Sequence, residues 1–125
     1  MTKTTTNTSS TDKPKKPRVN SRAKGARGEL ELSAFLRSHG FEARRGQQNS
    51  GGVDSPDVIT DLPGIHPEVK RTETLSVYAA MAQGIRDAAG KKTPVVFHKR
   101  NHKEWLVILR ADDFLNLLQQ DWVAA

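Results

Sequence analysis

Between Arg22 and Ser38 the apolar side chains fall at Ala26, Leu30 and Ala34 and again at Leu32, Phe35 and Leu36, which is helical spacing with one buried stripe. Ser21 offers an N-cap for this helix, and Gly40 follows its last turn as a stop. Phe41 to Arg45 alternates as a short strand, and a polar, Gly-rich loop occupies residues 46–54. Ser55 to Thr60 and Ile65 to Arg71 are β-branched runs separated by Asp61-Leu62-Pro63-Gly64, so the stretch reads as a β-hairpin. Leu75, Ala79, Ala82, Ile85 and Ala89 line one side of a second helix that stops at Gly90. Thr93 to His98 and Glu104 to Leu109 are apolar runs suited to strands covered on both faces. Asp112 or Asp113 opens a last helix carrying Phe114, Leu117 and Leu118. The order α-β-β-β-α-β-β-α predicts an α/β fold with a mixed central sheet flanked by helices.

Residues 1–20 hold almost no apolar side chains and cannot offset the entropy of ordering, so they are expected to form a disordered arm, with a single folded domain over 21–125. A length of 125 residues with 35% hydrophobic content supports one modest core. The net charge of +6 is uneven: residues 1–27 carry eight basic side chains against Asp12 alone, a local +7 that leaves the remainder at −1. A basic arm on a near-neutral body suits the gripping of a polyanion, and its alternative is a solubilising tail. No apolar run is long enough to span a bilayer, and no secretory signal precedes the fold, which predicts a soluble protein with no membrane partner. The absence of cysteine excludes thiolate metal sites and fits a reducing cytoplasm.

The chemistry concentrates at Asp57 and at Glu68-Val69-Lys70. Strand alternation puts Glu68 and Lys70 on one face and Val69 on the other, and the hairpin brings Asp57 alongside. Two hard oxygen ligands suit Mg²⁺ or Mn²⁺, and a lysine adds fixed positive charge where phosphate charge develops. A Glu-x-Lys alone is more often a solvated face. Here it is joined by Pro56-Asp57, by Glu29 on the preceding helix, by the Gly-rich loop and by a helix bearing Gln83. Asp54 competes with Asp57 as ligand, its other reading being a turn residue. His39, His66, His98 and His102 show no zinc spacing, although His66 lies beside the Glu-x-Lys strand. No Walker loop or dinucleotide fingerprint occurs, so no nucleotide cofactor is expected.

Lys24-Gly25-Ala26-Arg27-Gly28-Glu29, Phe41 to Arg45, Pro56-Asp57 and Glu68-Val69-Lys70 occur in an order that resembles the PD-(D/E)xK nuclease superfamily. Within it the chain is most similar to Holliday junction resolvases of archaeal and phage type, over Lys24 to Leu109. The resemblance implies a restriction-endonuclease-like fold and a catalytic set of Glu29, Asp57, Glu68 and Lys70. It implies that Asp57 and Glu68, with the Val69 carbonyl and Glu29, hold Mg²⁺, for which Mn²⁺ substitutes. Lys70 would orient or deprotonate the attacking water, or stabilise the pentavalent phosphate. Contacts to DNA would come from Lys24, Arg27, Arg44, Arg45, Ser50 and Gln83, and from Lys15, Lys16, Arg18 and Arg22 of the arm.

The activity so implied is structure-selective DNA cleavage, with paired nicks in a four-way junction made by a C2 homodimer through in-line attack of metal-activated water. A cytoplasmic setting follows, in a bacterial host cell or encoded by its phage. One alternative keeps the chemistry and changes the substrate to forks, flaps or duplex DNA. Another, of a different class, is a non-catalytic basic DNA-binding protein.

Overall fold

The computed structural model describes residues 21–46 and 57–124, with side chains over 25–46 and 57–120. Helix α1 (Ser21–Ser38) is followed by strand β1 (Ala43–Arg45), β2 (Val58–Thr60) and β3 (Ile65–Arg71). Helix α2 (Val77–Ala88), strands β4 (Thr93–Lys99) and β5 (Leu106–Ile108) and helix α3 (Ala111–Ala124) complete the order, which is the one the sequence predicts. The arm at residues 1–20 and the loop at 47–56 lie outside the described residues.

The strands form two sheets. β1 and β2 pair antiparallel, with Arg44 opposite Ile59, and β3, β4 and β5 form a second, mixed sheet in that order. β3 runs parallel to β4, with Glu68 opposite Val96, and β5 is antiparallel to β4. The β2–β3 hairpin expected from the sequence is therefore corrected: β2 takes β1 as its ladder partner, and β3 takes β4 across the α2 connection. The Pro-Gly turn is real, with Gly64 at φ +68°, but it redirects the chain. Leu62 packs into the core, Asp61 accepts from Glu42 N–H, and the Gly64 carbonyl accepts from Thr93 N–H at 2.8 Å.

β4 has a buried central run, because its alternating side chains feed two cores. Val95 and Phe97 join Leu32 and Leu36 of α1, Ala43 and Val58 in the larger one. Val96 joins Ala80 and Met81 of α2 in the smaller one. Both helices are rotated from the expected stripes. α1 buries Leu32 and Leu36 as expected but shares that face with Glu29 and Ser33, while Leu30 and Ala34 are exposed. α2 buries Ala80, Met81, Gly84 and Ala88 in place of Ala79, Ala82, Ile85 and Ala89. β5 is an edge strand, and its Leu106 and Val107 are exposed rather than covered.

Candidate active site

The two-residue period of β3 sorts its side chains between the helices. On the α1 side, Arg71 pairs with Glu31 at 2.7 Å, and Gly28 sits so close that a Cβ there would lie 2.7 Å from Arg71 Cβ. On the α2 side are His66, Glu68 and Lys70. Lys70 Nζ donates to Gln83 Oε1 at 2.8 Å and lies 3.9 Å from Glu68 Oε2. Gly84 lets α2 press onto this face, where an added Cβ would be 3.7 Å from Glu68 Cβ. Glu68 is only 2% exposed.

Asp57 stands at the entry to β2, its carbonyl accepting from Gly46 N–H at 2.8 Å. Glu29 projects from the buried face of α1 and accepts from Arg45 Nε at 2.7 Å. Burial, then the charges of Glu68 and Asp87, pushes the Asp57 carboxyl above its usual range, and Lys70 and His66 offset this only in part. Burial also raises Glu29, against the Arg45 hydrogen bond, with the Asp57 charge adding to the rise. A cleft of about 370 Å³ opens between these groups, lined by Gly25, Gly28, Glu29, Asp57, Val69 and Lys70.

The donor set fits a divalent cation. No hydrogen bond reaches the carboxylate of Asp57 or of Glu68 among the described residues, and the His66 ring nitrogen and the Lys70 ammonium stand 3.8 and 3.9 Å from Glu68. A buried carboxylate without donors is costly, and several acids in one cleft raise that cost unless positive charge enters. Carboxylate oxygens are the ligands that hard divalent ions prefer.

A family model, that of the archaeal Holliday junction resolvases, matches residues 20–116. The chain belongs to this family. Among solved structures it is similar to the Holliday junction resolvase Hjc of Archaeoglobus fulgidus, an archaeal hyperthermophile. The two share 25% identity and a TM-score of 0.51 over 69% of this chain and 72% of that one. No curated protein sequence matches. Holliday junction resolvases are endonucleases, and the α/β fold described above is similar to that of the solved Hjc structure.

In this resolvase-family chain three of the four expected acid and lysine positions, Glu29, Asp57 and Lys70, line one cleft together with Val69, and the fourth, Glu68, stands 3.9 Å from the Lys70 ammonium. Gln83 also reaches the site, through Lys70. Arg45 is engaged by Glu29, whereas Arg44 on the opposite face of β1 is exposed, as is Arg27 on α1. Ser50, Asp54, Lys15, Lys16 and Arg18 lie outside the described residues, and the Arg22 and Lys24 side chains are likewise not described. Asp87 escapes a motif search. It stands one turn beyond Gln83 on α2, and that i, i+4 spacing is the signal that could have found it.

Proposed function

We infer that the protein is a Mg²⁺-dependent endonuclease that resolves four-way DNA junctions, working as a homodimer. The observation that carries this reading is the buried Glu68 carboxylate, which lacks hydrogen-bond donors among the described residues and lies beside Lys70 in a chain of the resolvase family. Asp57, Glu68 and the Val69 carbonyl would hold the cation, and Glu29 would complete the site. Bound there, Mg²⁺ or Mn²⁺ supplies Lewis acidity toward phosphate oxygens and makes a water more acidic.

Lys70 supplies the fixed positive charge that meets the phosphate as negative charge builds on it. Gln83 holds that ammonium in place, and Glu68 lies 3.9 Å from it. Arg45 orients Glu29 from β1, so its own charge is partly spent within the protein. Arg27 and Arg44 remain exposed for backbone phosphates, which are met without reading sequence. The basic arm ahead of the nuclease domain would add affinity by releasing counterions from DNA.

A four-way junction has paired equivalent strands, and symmetric nicking requires two active sites. Leu106 and Val107 on the edge strand β5 and Phe114, Leu115 and Leu118 on α3, the helix that follows it, are exposed apolar side chains. A second copy of the chain is the occupant that this symmetry calls for on that surface. DNA as substrate places the work in the cytoplasm.

The test is cleavage of a four-way junction by the full chain with Mg²⁺ and with EDTA, beside forked and linear duplexes. Paired nicks are expected only with Mg²⁺ and chiefly on the junction. Asp57→Ala, Glu68→Ala and Lys70→Ala should each lower the rate by at least ~100-fold. Full cleavage by Glu68→Ala, or cleavage unaffected by EDTA, would overturn the reading.

A further inference from the structure

We propose that His66, Glu68 and Asp87 form a second divalent-cation position that shares Glu68 with the one inferred at Asp57 and takes a nitrogen-accepting ion such as Mn²⁺ in preference to Mg²⁺. The inference rests on the reading of the cleft as a cation-dependent site and adds ligands which that reading does not use. His66 and Glu68 are two residues apart on β3 and share a face, and Asp87 reaches the same place from α2. One ligand atom from each residue lies within 4.8 Å of the other two.

The imidazole is the observation that points to a ligand. The His66 side chain is 9% exposed, and its Nε2 stands 3.8 Å from Glu68 Oε1, too far for a hydrogen bond. Among the described residues no hydrogen bond reaches either ring nitrogen, and none reaches the Glu68 or Asp87 carboxylates. Buried polar groups are nearly always satisfied, so the unsatisfied His66 and Glu68, faced by the half-buried Asp87, mark a missing partner. A cation accepting electron pairs from one imidazole and two carboxylates satisfies all three together. Glu68 has two oxygens, of which Oε1 faces His66 and Oε2 faces Lys70, so one carboxylate serves both positions without turning.

Ligand chemistry sets the preference. Mg²⁺ favours oxygen ligands and retains its waters, whereas Mn²⁺ shares its liking for carboxylates but, as a transition-metal ion, accepts an imidazole nitrogen more readily than Mg²⁺ does. The two positions are therefore expected to separate by metal: Mg²⁺ fills the one at Asp57, and Mn²⁺ fills both. Asp87 reaches Glu68 because α2 lies against β3 one turn earlier, at the buried Gly84.

Mn²⁺ binding by the full chain, followed by calorimetry and pulsed electron paramagnetic resonance, tests this independently of cleavage. Two Mn²⁺ per chain are expected against one Mg²⁺, with a nitrogen hyperfine coupling on one of the two. His66→Gln should abolish the coupling, and Asp87→Asn should weaken that Mn²⁺ by at least ~10-fold, both leaving the other ion bound. Asp87 is only half-buried, so the Asn variant keeps the test valid even if His66→Gln fails to fold. A single Mn²⁺ per chain, or a nitrogen coupling that survives His66→Gln, would overturn the second position while leaving the nuclease reading intact. Failure of the unmodified chain to cleave DNA with Mg²⁺ would instead sink the nuclease reading.

Discussion

Glu31 and Asp57 show how neighbours decide whether a carboxylate supports the fold. Burial pushes Glu31 up, but the hydrogen bonds from Arg71 and Lys99 outweigh it and hold the group below its usual 4.5. Its stabilising contribution is present above that value and is lost as pH falls through the lowered one. Asp57 behaves in the opposite sense. Its pKa lies above the usual 3.8, so the fold favours the protonated acid, and that contribution is complete below pH 3.8 and lost as pH rises through the raised value. Asp57→Asn should therefore raise the melting temperature by a few degrees at pH 7 in EDTA and leave it nearly unchanged at pH 3. Calorimetry at the two pH values measures this, and an unchanged melting temperature at pH 7 would contradict it. At this scale the Glu-x-Lys strand was legible, because a two-residue period alone sorts Glu68 and Lys70 from Val69. The partners of these residues were not. Nothing local ties Arg45 to Glu29, sixteen residues away, or Asp87 to Glu68, since those pairings come from packing between elements.

Among elements, strand and helix order could be read from periodicity, but rotation and pairing could not. α1 hides Glu29 and Ser33 on the same face as Leu32 and Leu36, so apolar spacing alone drew the stripe through Leu30 and Ala34. α2 is rich in alanine on several faces, and the choice among them falls to Gly84, the residue that meets the sheet. The turn at 61–64 was visible, but the ladder partner of β3 was not, because parallel pairing with β4 is set by packing across α2. The two helical glycines give opposite predictions. Gly28→Ala drives a methyl to 2.7 Å from Arg71 Cβ and should cost about 1–3 kcal/mol. Gly84→Ala meets Pro94 Cβ at 3.4 Å, an ordinary approach, and should gain up to about 1 kcal/mol from helix propensity. Urea denaturation of both variants checks the contrast, and equal effects would refute it.

For the molecule as a whole, charge and apolar surface are laid out separately. The net positive charge concentrates before residue 28, while β5 and α3, at the other end of the chain, expose Leu106, Val107, Phe114, Leu115 and Leu118. Removing residues 1–20 should weaken junction binding and flatten its dependence on salt, by roughly one unit of slope for every phosphate the arm neutralises. Titrations at several salt concentrations would show this, and an unchanged slope would remove the arm from DNA binding. Phe114→Asp with Leu118→Asp should shift the protein from dimer to monomer in sedimentation and convert paired nicks into single ones; a monomer before mutation would count against the proposed assembly. Charge asymmetry was plain in the sequence. The apolar face was not, because β5 reads as a covered strand until its position at the sheet edge is known.

The bond from Lys70 to Gln83 joins a strand to the underside of α2, whose outer side offers Tyr78 to solvent at 90% exposure. A small molecule gripping that outer side and tilting the helix would swing the ammonium off its mark, so cutting could be throttled from behind, by an agent that never competes with DNA.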